Sequence, residues 1–202
     1  MKKTLGFLLV FSLFFLAGNL CLALSDELQE GLFSYKSGDY NTAHELLSPL
    51  AVNGNDLAQL VLGIMYQEGQ GVLQDYKEAV KWFKLSANEG NASAQSLLGQ
   101  IFEKGLGFPQ DYVEAFKWYQ LSADQGYALS QLTLGEKYYH GKGLQQDYAE
   151  AIKWFKLSAE QGLKDAQYNL AVMYYSGQGV EQDYKEAFEK YHLLALEGHA
   201  KS

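Results

Sequence analysis

Residues 55–90 read NDLAQLVLGIMYQEGQGVLQDYKEAVKWFKLSANEG, and the chain repeats this stretch at a period of 36 residues without an insertion. The copies are 55–90, 91–126, 127–162 and 163–198. Invariant columns run through all four: Gln59, Gln95, Gln131 and Gln167; Leu62, Leu98, Leu134 and Leu170; Asp75, Asp111, Asp147 and Asp183; Ala79, Ala115, Ala151 and Ala187; Gly90, Gly126, Gly162 and Gly198. A glycine pair, Gly69/Gly71, recurs as Gly105/Gly107, Gly141/Gly143 and Gly177/Gly179. Self-similarity at this period is the signature of a repeat architecture.

Within one copy, apolar or small residues fall at Ala58, Leu62, Gly63, Met65 and Tyr66, then at Ala79, Trp82, Phe83, Ser86 and Ala87. Those spacings of three and four are helical, so each copy predicts two amphipathic helices, A and B. Asp75 followed by Glu78, and its three equivalents, has the form of a capping box at the start of helix B. Gly69 ends helix A, Gly71 supplies a left-handed turn residue, and Gly90 ends helix B. One hairpin cannot bury its apolar face, so hairpins stack into an all-α, right-handed superhelical solenoid. Gly63, Gly99, Gly135 and Ala171 are expected to let helices A and B approach closely. Trp82, Trp118 and Trp154 are expected to pack onto the next repeat, each at a cost of about 3–5 kcal/mol if cut to Ala. Lys190 stands in that column in the last copy.

Upstream, Asp39 to Gly54 keeps the same register with Leu46 in the Trp column, and 26–37 reads as a shortened first helix. Residues 24–54 are thus a capping half-repeat, and 199–202 a tail. The first 23 residues differ: Lys2 and Lys3, an apolar run from Leu5 to Leu16, then small residues toward Ala23. That is the layout of a secretory signal peptide cleaved after Ala23, which predicts a secreted or periplasmic protein without stable membrane insertion. An uncleaved anchor is the alternative, since Leu5 to Leu24 is about long enough to span a bilayer. Leu20 before Cys21 disfavours lipidation there, and removal of the segment leaves no cysteine and takes the formal charge from −8 to −10.

The 16 basic residues are all lysine, against 24 acidic ones. Without the planar fork of Arg, an acidic chain is a poor ligand for nucleic acid. His44, His140, His192 and His199 are scattered and set no metal-ligand spacing, and no phosphate loop or nucleophile elbow occurs. The recurrent Gly-x-Gly lies between two helices, where a dinucleotide site needs a preceding strand. No cofactor, metal or catalytic residue is expected. The fourfold Asp/Glu pair reads as capping, because an active site is normally built once.

Columns that never change are framework, and exposed columns that change are free for recognition. On helix A the face at 57, 60, 64, 67 and 68 varies most. It reads Leu57, Leu60, Ile64, Gln67, Glu68; then Ser93, Ser96, Gln100, Glu103, Lys104; then Leu129, Leu132, Glu136, Tyr139, His140; then Asp165, Tyr168, Val172, Tyr175, Ser176. Leu57, Leu60, Ile64, Leu129, Leu132, Tyr139, Tyr168, Val172 and Tyr175 are the candidate partner-binding residues. Tyr and Leu on such a face suit an extended or helical peptide, while packing between neighbouring A helices is the plainer reading of any one of them. A peptidoglycan or carbohydrate ligand is the alternative, since aromatic grooves also stack sugars.

The pattern Ala58-Gln59-x-x-Leu62-Gly63-x-x-Tyr66-x-x-Gly69-x-Gly71-Val72-x-x-Asp75-x-x-x-Ala79-x-x-Trp82-x-x-x-Ser86-Ala87-x-x-Gly90 resembles the Sel-one-like repeat, a relative of the tetratricopeptide repeat. The likeness runs through all four copies. Departures are Ala171 for Gly, Leu194 for the small residue, Lys190 for Trp, and Phe108-Pro109 for Val72-Leu73. The resemblance implies a non-enzymatic adaptor or scaffold, at a bacterial envelope or in host contact, with the A helices lining a concave groove.

Overall fold

The computed structural model describes residues 26–199, with side chains through 196. The expected signal segment, Cys21 and the residues beyond 199 lie outside the described residues. A first helix, α1, covers 26–37. It is followed by α2 (Tyr40–Val52), α3 (Asp56–Glu68), α4 (Tyr76–Asn88), α5 (Ala92–Lys104), α6 (Tyr112–Asp124), α7 (Ala128–His140), α8 (Tyr148–Glu160), α9 (Lys164–Ser176) and α10 (Tyr184–His199). Among the described residues there is no strand. The fold is an all-α repeat solenoid of helical hairpins. The chain divides into two compact units, Met1–Ser86 and Ala87–Ser202, with the boundary inside α4.

In the first unit, α2 and α3 bury Ala43, Leu47, Leu50, Ala58, Leu62 and Met65 in one cluster, against which Leu28, Leu32 and Trp82 pack. In the second unit, α6 and α7 contribute Ala115, Tyr119, Ala123 and Leu134 to one cluster. Helices α7, α8 and α9 build another from Leu132, Ile152, Phe155, Ala166, Leu170 and Met173.

The small column does what its residues predict. A Cβ on Gly63 would lie 2.5 Å from the ring of Phe83, and one on Gly135 would lie 2.5 Å from Phe155. Removing that carbon is what lets helix B lay an aromatic ring flat on helix A. The Gly69 φ of 68° and Gly71 φ of 70° place both in the left-handed region, as the turn requires. Two polar columns serve as ties, the invariant Gln and a Ser present in the first three copies. Gln59 Nε2 donates to the Ala51 carbonyl at 2.9 Å and Gln95 Nε2 to the Ala87 carbonyl at 3.1 Å, joining an A helix to the B helix before it. Ser86, Ser122 and Ser158 donate from helix B to the carbonyls of Asp56, Ala92 and Ala128 in the same hairpin.

Two expectations are corrected. The capping box forms only by half: Asp75 Oδ1 accepts from the Lys77 and Glu78 amides, as Asp111, Asp147 and Asp183 do in their copies. The reciprocal bond is pre-empted, because the Asp75 amide already donates to the Tyr66 carbonyl at 2.9 Å, and Asp111, Asp147 and Asp183 repeat this. Glu78 and Glu150 pair with Lys81 and Lys153 instead, and Glu114 accepts from Lys117 and Trp118. The Trp column, moreover, packs backward. Trp82 lies on the α2/α3 cluster and Trp154 on the α6/α7 cluster, each on helices that precede its own in the chain. In the last copy Lys190 takes the Trp position. Its Nζ stands 5.6 Å from the Tyr174 ring centroid and 3.0 Å from Glu186 Oε1, so the lysine stem and charge cover an aromatic face there.

Candidate functional site

The candidate residues are divided between the two units. Leu57, at 36 %, is exposed on α3 in the first unit, and Leu60 and Ile64 are half-buried. In the second unit Leu132 is only 8 % exposed and belongs to the core with Ile152, Phe155 and Leu170. Leu132 is therefore framework, a correction to its reading as a contact residue. Leu129 at 52 %, Tyr168 at 53 % and Tyr175 at 59 % stand largely in solvent. Tyr139, Tyr168 and Val172 converge with Glu136, His140, Phe155 and Asn169 on one cleft of about 270 Å³ between α7 and α9.

The aromatic rings of this face are held. Tyr139 Oη donates to Gln178 Oε1 at 2.8 Å, and its ring meets Tyr148 edge-on at 5.4 Å. One repeat on, Tyr175 meets Tyr184 at the same 5.4 Å. Tyr168 meets Tyr191 at 5.8 Å, also edge-on. These contacts orient the rings while more than half of Tyr168 and Tyr175 stays exposed, so a ligand would meet preorganised aromatic surface.

A second cleft of about 330 Å³ adjoins the first, sharing Glu136 and His140 and adding Gln100, Glu103, Lys104, Tyr119, Thr133, Lys137 and Lys142. Its centre is a buried ion pair that the hydrophobic periodicity conceals. Lys137 is 4 % exposed and its Nζ lies 3.0 Å from Glu103 Oε1, with Lys142 Nζ at 3.2 Å from the same oxygen. Tyr119 Oη donates to Glu103 Oε2 at 3.0 Å, and Lys137 Nζ stands 5.1 Å from the Tyr119 ring centroid. Burial would raise the Glu103 carboxyl, but the bonds from Lys137, Lys142 and Tyr119 outweigh it and hold it below the usual carboxylate range. Burial, then the Glu103 charge, pushes the Tyr119 phenol far up. The signal for this pair was available: Lys137 occupies a column whose other members are Met65, Ile101 and Met173, all buried.

Among the described residues no group of three or more His, Cys, Asp or Glu is placed to hold a metal ion, and no helix is long and apolar enough to cross a membrane.

The profile of the Sel1 repeat matches residues 56–91, 92–127, 128–163 and 164–199. The chain belongs to the Sel1 repeat family. These bounds keep the 36-residue period and start one residue later than the copies delimited above. Among solved structures, a protective antigen present in uropathogenic Escherichia coli strains and displaying an SLR fold is 37 % identical, with a TM-score of 0.81 over 87 % of this chain and 38 % of that one. This chain thus spans well under half the length of that relative. A Sel1 repeat protein from Oxalobacter formigenes is 33 % identical, with a TM-score of 0.80 over 85 % of this chain and 70 % of that one. A putative Sel1 repeat protein from Klebsiella pneumoniae, 22 % identical with a TM-score of 0.57 over 88 % of each chain, shares the fold. No curated protein matches in sequence. Sel1 repeat proteins are in general non-catalytic scaffolds for protein–protein interaction.

Proposed function

We propose that this Sel1 repeat chain is an exported, non-enzymatic scaffold that holds a segment of a partner protein against the A-helix face of α7 and α9. One observation carries the reading. Leu129, Tyr168 and Tyr175 each leave more than half their surface in solvent on α7 and α9, with Tyr168 lining an aromatic cleft, while the A-helix column of Leu62, Leu98, Leu134 and Leu170 is buried. Exposed Tyr and Leu on a rigid helix pair offer large contact area at little entropic cost, the character of a protein-binding hot spot. Tyr168, Val172 and Tyr175 follow a four-then-three spacing along one stripe of α9, which suits an extended or helical segment lying across it. Export rests on the signal-peptide layout of residues 1–23, and the periplasm or the exterior is the proposed place of action.

The test is panning of a random dodecapeptide display library on the chain from residue 24, with rescreening against Tyr168→Ala/Tyr175→Ala. Both side chains are exposed, so the variant should keep its helical circular dichroism and melting temperature. Peptides enriched on the wild type and lost on the variant are the expected result. Peptides that bind both equally would contradict the reading. Displacement by soluble peptidoglycan fragments, with no peptide enriched, would transfer the face to a carbohydrate ligand.

A further inference from the structure

The cleft between α7 and α9 carries a charge that its neighbours do not neutralise. Glu136 lines both clefts, yet among the described residues no ion pair or hydrogen bond reaches its carboxylate. Lys137, next in sequence, is committed to Glu103, and so is Lys142. Glu136 is exposed as a residue, and partial desolvation where its carboxyl meets the cleft wall pushes it above the usual carboxylate range; His140 offsets this, Asp165 and Glu103 add to it, and Lys137 offsets it slightly. In the other three copies this column holds Ile64, Gln100 and Val172, so the carboxylate is peculiar to the third repeat.

What surrounds Glu136 has the composition of a cation site. Tyr139 and Tyr168 present fixed rings, Phe155 and Val172 give apolar surface, and Asn169 adds an amide. Aromatic faces and a carboxylate together attract a guanidinium or ammonium group, and an apolar floor accommodates the methylene stem that carries it. Asp165, in the first turn of α9, is near enough to Glu136 to raise its carboxyl and adds negative charge to this side of the helix pair. The chain's formal charge of −8 favours encounter with a basic segment. The adjoining cleft, which shares Glu136, differs at its centre, where Glu103 is already held by two lysines.

We propose that the Glu136–Tyr139–Tyr168–Asn169 cleft is a socket for an arginine or lysine side chain on the partner segment. The proposal rests on the α7/α9 face being the peptide-binding surface, and it identifies the feature of the peptide that this face reads.

The test titrates N-acetylarginine N-methylamide into 15N-labelled protein and follows the backbone amides by NMR, beside the citrulline analogue, which keeps the shape and loses the charge. Saturable shifts at residues 136–140 and 168–172 with the arginine compound are expected, with affinity weakened at least about fivefold for citrulline and in Glu136→Gln. Glu136→Gln keeps shape and exposure, and an unchanged melting temperature or a higher one excludes unfolding as the cause of lost binding. Equal shifts from arginine and citrulline, unchanged affinity in Glu136→Gln, or no shifts at these residues would overturn the socket. If library peptides still depend on Tyr168 and Tyr175 but bind Glu136→Gln at full strength, the socket falls and the peptide-binding face stands. If no peptide depends on those tyrosines, the face itself falls, and the amide titration reports on the socket independently.

Discussion

Replacing Glu103 with Gln should destabilise the protein far more than a surface substitution, because it strands Lys137. The ammonium is 4 % exposed and its nearest compensating charge is Glu103 Oε1 at 3.0 Å. A buried pair broken from one side costs about 3–5 kcal/mol, whereas replacing both members with well-packed neutral residues is near neutral or stabilising. Glu103 keeps part of its surface in solvent, so the low end, about 3 kcal/mol, is expected for Glu103→Gln. Lys137→Met should cost less, since Glu103 retains Lys142 and the Tyr119 hydroxyl. The double variant Glu103→Gln/Lys137→Met installs residues already used in the same two columns, Gln67 and Met65, and should recover most of the loss. Urea denaturation followed by circular dichroism gives all four stabilities and hence the coupling energy, for which about 2 kcal/mol or more is expected. A Glu103→Gln loss below about 0.5 kcal/mol, or a double variant no more stable than Glu103→Gln, would refute the claim that the pair is a mutually dependent buried unit.

Four further outcomes follow. Glu136→Gln should stabilise the protein at pH 7 by less than about 1 kcal/mol after solvent screening. The sign follows from linkage: a carboxyl held above its unfolded value costs stability at high pH, and the cost is relieved as pH falls toward about 4. Melting curves of the two proteins should therefore converge on acidification. Glu103 has the opposite sign, so the stability it contributes is present near neutral pH and is lost below about pH 4, and Glu103→Gln should flatten that limb of the wild-type acid titration. Gly135→Ala places a carbon 2.5 Å from Phe155 and should cost about 1–3 kcal/mol by urea titration. Phe155→Ala should cost about 3–5 kcal/mol, and Trp154→Ala measurably less, because Phe155 is fully buried and Trp154 only partly so.

The repeat made most of the fold legible, and for a physical reason. A residue that recurs at 36-residue intervals is under the same local constraint each time, so Gly63 and Asp75 could be assigned to close approach and cap from their columns, whereas the Gln59 column was visible as invariant without its role as a tie. Direction was not encoded. Helical spacing says that Trp82 and Trp154 lie on an apolar stripe, not which neighbour that stripe meets, and the structure turns both toward preceding helices. The capping box failed similarly: its sequence form is complete, but the amide it needs is consumed by a carbonyl at the end of helix A. At the site, the column containing Leu132 and Tyr168 is buried in one copy and exposed in the next, a difference in neighbours invisible to spacing. Lys137 and Glu136 carried a signal of a different sort, as charged residues in columns that hold Met65 or Ile64, and reading columns for their exceptions would have found both.

The most direct measurement maps where a selected peptide lies. With 15N-labelled protein and a peptide from the library, amide shifts are expected to concentrate at Leu129, Tyr139, Tyr168, Val172 and Tyr175. Shifts concentrated instead on the B helices, along the exposed Leu121, Leu157 and Leu193, with the α7/α9 face silent, would contradict it.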